Sequence, residues 1–165
     1  MDKTFKTLLS DPVVGPWWMD NLDFILDDNK FSSTYGWHKG KKAQLTKIIN
    51  KRLAGNIKTP KLKENMLSEK SLNDKNIHEY AVFTCDGSLC VSFFRHLRNA
   101  LAHKRIRIII HKGTRYYHFC DYNKQSAMTA EICLSHDTLK FLSEKYFGII
   151  KLDFFSPSDA PSFAA

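Results

Sequence analysis

Residues 88–104 read SLCVSFFRHLRNALAHK, and their periodicity decides how the rest of the chain must be arranged. Cys90, Phe94, Leu97 and Leu101 recur at helical offsets, which predicts an amphipathic helix with one apolar stripe. On a wheel of about 100° per residue, Leu101 and Cys90 fall within roughly 40° of Phe94. His96, Asn99 and His103 fall on the opposite side, with Arg95 and Arg98 on the flank between them. Asp86-Gly87-Ser88 is a turn signal before the helix, and Ser88 is a candidate N-cap.

Past His103 the period changes. Arg105 to Ile110 is β-branched with partial alternation, His111-Lys112-Gly113-Thr114 is a turn, and Arg115 to Phe119 is a second extended run. Together they predict a β-hairpin, closed by Asp121-Tyr122-Asn123. A further helix is expected after Ser135, a candidate cap, with Leu139, Leu142 and Tyr146 facing inward.

Upstream, a helix over about 41–53 places Leu45, Ile48, Ile49 and Leu53 on one side and ends near Gly55. Tyr80 to Thr84 is a short strand or the entry to the central helix. Residues 55–79 form a polar loop broken by Pro60, with a short helix around 62–67. A helix over 2–10 stops at Ser10-Asp11-Pro12, and a second opens at Gly15-Pro16-Trp17-Trp18 and ends near Asn29. Trp17 and Trp18 suit packing better than stacking on bases, because they flank an apolar stripe. Residues 31–39 are a loop. The expected architecture is mainly α: a helical bundle with one β-hairpin after the central helix. Residues 1–150 make a single domain, and 151–165, with Pro157 and Pro161, a C-terminal tail.

The chain has 165 residues, a formal charge of +8 and a pI near 9.3, a balance that favours polyanionic partners. The positive charge is segregated. Lys41, Lys42, Lys47, Lys51 and Arg52 line the polar side of the 41–53 helix, and no Asp or Glu occurs from residue 29 through 63. This is a candidate RNA-binding face meeting phosphates, or a lysine-rich face that only keeps the chain solvated. At the start, Lys3 and Lys6 alternate with Phe5, Leu8 and Leu9, which is not a secretion signal. No apolar run has the length of a membrane span. Cytoplasm, with reduced cysteines and no membrane contact, is therefore expected. The spacing of Cys85, Cys90, Cys120 and Cys133 matches no common zinc pattern, so no metal and no cofactor is expected.

Asn99 and His103 stand at i and i+4 and are helix neighbours. Arg98 lies about 140° around the wheel from His103, so within one regular helix the two do not point at one spot. Either the helix ends near His103, or two copies pack this helix against its mate and each site draws on both chains. The residue types suit attack on a phosphodiester. Histidine can move a proton near neutral pH, arginine can hold phosphate oxygens, and asparagine can orient a neighbour without adding charge. Asp86 and Asp121 stand isolated, which weakens a two-metal nuclease. His111 and His118 on the hairpin could support the site, but ordinary exposed or half-buried histidines fit them better.

Arg98-Asn99-Ala100-Leu101-Ala102-His103, within FFRHLRNALAHK, resembles the Arg-x4-His motif of the HEPN superfamily. The resemblance spans roughly residues 80–147 and includes the hairpin that follows. It implies a helical bundle, usually dimeric, with motif helices facing each other across a cleft. It also implies metal-independent endoribonuclease activity in toxins and antiviral effectors, with Arg98, Asn99 and His103 as catalytic residues and Arg95, His96 and Lys104 as supporting ones. RNA, a second copy of the chain, and an antitoxin or defence partner are the partners it implies. Some members only bind RNA or proteins, which is the alternative reading. Lys104 departs from the pattern, since relatives often place glycine there.

Overall fold

The structure, a computed structural model, describes residues 39–60 and 77–149, together with Lys6, Thr7, Ser10, Asp11 and Gly15. The expected helices over 2–10 and from Trp17 to Asn29, the loop over 31–39 except Lys39 (which opens the first described helix), the short helix around 62–67 and the tail over 151–165 fall outside these residues, apart from the isolated N-terminal positions. In chain order the elements are α1 (Lys39–Leu53), β1 (Ile57–Lys58), β2 (Tyr80–Phe83), α2 (Leu89–Ala102), β3 (Ile106–His111), β4 (Thr114–Tyr122), β5 (Met128–Ser135) and α3 (His136–Ile149).

The strands form one five-stranded sheet in the order β1-β2-β5-β4-β3, parallel only between β1 and β2. This corrects the expectation of a mainly helical bundle with a lone hairpin: the fold is mixed α/β. The hairpin itself forms as expected. Lys112 and Gly113, at φ 49° and 77°, make the two-residue turn between His111 and Thr114 that matches the strand twist. What converts a hairpin into a sheet is β5, which pairs with β4 on one side and β2 on the other.

All eight residues of β5 are buried. Ala130, Ile132 and Leu134 join the main core with Phe83, Phe119 and Tyr117. Thr129, Glu131, Cys133 and Ser135 point to the other face of the sheet, since alternate side chains on a strand take opposite sides. On that second face Glu131, 6% exposed, accepts a hydrogen bond from the Tyr80 hydroxyl and lies 3.7 Å from His118 Nε2. Burial, with Glu131 beside it, pushes the Tyr80 phenol up.

α2 packs on β4, with lesser contacts to β2 and β5, and α1 braces α2 and α3. The apolar stripe read from sequence is buried: Cys90, Phe94, Leu97 and Leu101, joined by Phe93 and Ala100. Removing the Leu97 side chain would cost about 2–5 kcal/mol, in line with other buried leucines. Ser88 holds the N-cap position without a capping bond. Instead Ser92 Oγ accepts from the Asp86 N–H at 3.1 Å, tying the preceding turn to the helix. Ser135 caps α3 as expected, its Oγ accepting from Thr138 N–H at 3.2 Å. Tyr146 belongs to α3, but its side chain lies outside the described residues.

The thiols test this burial. Cys85 is exposed, whereas Cys90, Cys120 and Cys133 are buried, and none of these four forms a disulfide. Burial, with Glu79 and Glu131 nearby, pushes the Cys133 thiol up to about 12, and burial also raises Cys90. A thiolate-selective reagent at pH 8 is therefore expected to modify Cys85 quickly and the other three only after denaturation. Rapid labelling of Cys133 would contradict its central place in the sheet.

Candidate functional site

α2 is covered on most of its circumference, leaving an open stripe of Arg95, Arg98, Asn99 and Ala102 that runs to His103. Arg95, Arg98 and Asn99 are half-buried, while Ala102 and His103 are exposed. His96 departs from the wheel expectation. It turns inward against the sheet and is 8% exposed.

The cause is Asp121, near the end of β4. Its Oδ2 accepts from His96 Nδ1 at 2.8 Å and from Asn99 Nδ2 at 3.2 Å, while Oδ1 accepts from the Tyr122 N–H at 2.9 Å. His96 Nε2 lies 2.8 Å from the Thr84 carbonyl oxygen. An acceptor thus faces each ring nitrogen. Thr84 is held in turn by its N–H to Thr129 O at 2.9 Å, so the contact reaches into β5. With its amide nitrogen fixed on Asp121, Asn99 presents Oδ1 to Arg98 Nη1 at 3.4 Å. The path from Thr84 through His96, Asp121 and Asn99 to Arg98 joins β2, β4 and α2. Asp121, isolated in sequence, is the residue that organises it. Only the topology, pairing β4 beside α2, reveals this role.

The helix closes one residue past the stripe. His103 is the C-cap, at φ −95° and ψ 7°, with its N–H on Asn99 O at 3.0 Å. Lys104 takes the left-handed conformation at φ 56°. Its N–H meets Leu101 O at 3.1 Å, and Arg105 N–H meets Ala100 O at 2.8 Å. This is the Schellman closure that helices commonly build on glycine. Of the two arrangements open from sequence, the helix therefore does end at His103, which stands at the exit of the helix rather than within its regular turns.

A family model described as HEPN pEK499 p136 matches residues 25–154, most of the chain. The chain belongs to this HEPN family. Neither curated proteins nor solved structures gave a match. In this HEPN protein the Arg98-to-His103 spacing lies inside the matched stretch, at the end of the helix on which the sheet packs. Among the described residues, no three His, Cys, Asp or Glu side chains converge to hold a metal ion, and no helix is long and apolar enough to cross a membrane.

The positions on α1 divide. Lys47, Lys51 and Arg52 are exposed and Lys42 is half-buried, while the Lys41 side chain lies outside the described residues. Arg52 also works internally: its Nε donates to Thr138 Oγ1 at 2.9 Å and its guanidinium lies 4.7 Å from the Phe141 ring centre. Thr138 passes the contact to Glu79 at 2.7 Å. Lys51 and Arg52 border a cavity of about 620 Å³ with Phe141 and Lys145.

Lys104 gives a direct test of the helix end. A non-glycine residue pays about 1–2 kcal/mol in the left-handed region, and glycine gives back roughly 0.5–1 kcal/mol through its freer unfolded chain. Lys104→Gly should therefore raise stability by about 0.5–1 kcal/mol, visible as a higher denaturant midpoint with an unchanged slope. A lowered midpoint would mean that Lys104 makes contacts outweighing its backbone strain.

Proposed function

We propose that this HEPN protein is a metal-independent endoribonuclease that cuts RNA by attack of the internal 2′-hydroxyl. The observation carrying the reading is the end of α2, where Arg98 and Asn99 border an open stripe that leads to an exposed His103, with Asn99 held by Asp121. In this reading His103 takes the proton of the 2′-hydroxyl as its oxygen bonds to phosphorus. Arg98 stabilises the charge that builds on the equatorial phosphate oxygens. The bond from phosphorus to the 5′-oxygen breaks, and that oxygen takes a proton from a second imidazole or from water. The products are a 2′,3′-cyclic phosphate and a 5′-hydroxyl. Asn99 orients Arg98, and Asp121 and His96 act through Asn99 rather than on the substrate.

The site is composite in this proposal, with two copies facing their motif helices so that Arg98 of one chain serves His103 of the other. The cation-rich side of α1 draws the polyanion in. Cleavage of this kind fits a toxin or an antiphage effector, restrained by an antitoxin or defence partner and working in the cytoplasm.

The test uses total RNA in chelator. Wild type should cleave, and Arg98→Ala and His103→Ala chains should each fail alone. Mixed and re-associated, they should recover about a quarter of wild-type activity. Half the dimers are then mixed, and one of the two sites in each is intact. Cleavage only on metal addition would overturn the mechanism, and a mixture as inactive as its parts would overturn the shared site.

A further inference from the structure

The end of α2 opens onto a second feature on the other side of the sheet. A cleft of about 500 Å³ begins at Lys104 and is lined by Arg105, Arg107, His118 and Tyr122, among others. Alternation along β4 explains its position. Asp121 reaches the motif helix from one face, and its neighbours Cys120 and Tyr122 line the cleft from the other. The cleft thus starts at Lys104, one residue past His103, and lies along the β3–β4 face turned away from α2.

Among the described residues that border it are Lys104, Arg105 and Arg107 and no acid, although Glu131 lies 3.7 Å from the lining His118. Arg105 and Arg107 are both exposed. Two residues apart, they stand about 6.7 Å from each other along the chain, close to the interval between successive phosphates of an extended strand. The Arg105 guanidinium lies over the Tyr122 ring, 4.3 Å from its centre, a cation–π pair already assembled. A guanidinium on an aromatic ring is a platform for a base, and the nearby ammonium and guanidinium groups are partners for the flanking phosphates.

We propose that this cleft holds the single-stranded RNA segment adjoining the bond cut at the motif, with a base on the Arg105–Tyr122 stack and phosphates on Lys104 and Arg107. The assignment of the segment as adjoining a cut bond rests on the nuclease reading above. RNA occupancy of the cleft does not. The segment passes over the sheet end where the Schellman turn places Lys104, which gives that residue a role besides closing the helix.

The test is fluorescence anisotropy with a labelled 2′-O-methyl single-stranded oligonucleotide, which lacks the attacking hydroxyl and stays uncut. Arg105→Ala/Arg107→Ala is expected to bind at least tenfold more weakly. Its dependence of log affinity on log salt should be shallower by about 0.7 for each phosphate that the variant no longer neutralises. Arg105→Lys/Arg107→Lys should recover much of the phosphate contribution but not the stacking part, and a wild-type circular-dichroism melt of the alanine variant shows that its loss is not unfolding. Lys140→Glu changes net charge by the same two units at an exposed position of α3 and should shift affinity less than twofold. Equal binding by wild type and Arg105→Ala/Arg107→Ala would overturn the cleft, and these arginines would then serve only to guard the edge of β3. Duplex RNA bound as tightly, with the same dependence on Arg105 and Arg107, would overturn its single-strand character.

A cleavable oligonucleotide run in parallel separates the two readings. Binding through the cleft without cleavage would overturn the nuclease and leave the cleft standing. Cleavage with binding indifferent to both arginines would do the reverse.

Discussion

Asp121→Ala is expected to lower folding stability by about 3–5 kcal/mol, because it removes a buried carboxylate that several donors share and leaves them without an acceptor. His96 and Asp121 meet at 2.8 Å with almost no solvent on either side chain. The same carboxylate also accepts from Asn99 and from the Tyr122 N–H, so the substitution strands three donors at once. For a chain of this size the loss corresponds to a fall in melting temperature of roughly 6–20 °C. Typical domain stability is about 5–15 kcal/mol, so a substantial unfolded fraction at growth temperature is within reach. Asp121→Asn separates holding from folding. It keeps the shape and one acceptor oxygen but sets an amide against the donors of His96 and Asn99. A smaller stability loss of about 1–3 kcal/mol should accompany a clear drop in RNA cleavage, since Asn99 and Arg98 lose their fixed positions. Thermal unfolding by circular dichroism checks the first result. An Asp121→Ala protein melting with wild type would mean that the pair does not anchor the helix to the sheet.

The second large effect falls on activity alone. His103→Ala is expected to reduce cleavage by about 10²–10⁴-fold, the usual worth of a positioned acid or base. His103 is exposed at the C-cap, and its part in closing the helix is made by backbone, which alanine retains. Stability should therefore change by no more than about 0.5 kcal/mol. Asp121 and His103 thus predict opposite signatures: one variant mainly unfolds, and the other folds and does not cut.

The parts of the molecule legible in sequence are those whose physics is local. The stripe Cys90-Phe94-Leu97-Leu101 gave α2, Leu45-Ile49-Leu53 gave α1, and the Lys112-Gly113 turn gave the β3–β4 hairpin. β5 is different. Residues 128–135 do alternate, with Met128, Ala130, Ile132 and Leu134 against Thr129, Glu131 and Ser135, but Met, Ala, Glu and Leu are also strong helix formers. Pairing on both edges overrides that propensity and makes β5 the middle of the sheet. The two-residue β1 leaves no local pattern at all, and its place is set by pairing with β2.

The candidate site divides along the same line. Arg98, Asn99 and His103 stand out by spacing within one helix. A wheel treats His96 as one more polar residue on the outer face, because it cannot know that β4 brings a carboxylate to that side. Asp121 lies 22 residues from Asn99 and carries no local sign of its role. The cleft beyond Lys104 is equally non-local, since it forms only when β3 and β4 align Arg105 and Arg107 beside His118 and Tyr122. The unusual Lys104, which a family pattern marks only as a missing glycine, becomes intelligible as the left-handed residue that turns the chain from the helix to the sheet edge.

The chemistry of the cut ends tests the proposed cleavage directly. A defined RNA is incubated in chelator with wild type or His103→Ala, and both new termini are identified by mass spectrometry. Wild type should leave a 2′,3′-cyclic phosphate and a 5′-hydroxyl, and His103→Ala should leave the RNA intact. A 5′-phosphate with a 3′-hydroxyl, or undiminished cutting by His103→Ala, would contradict the proposed mechanism.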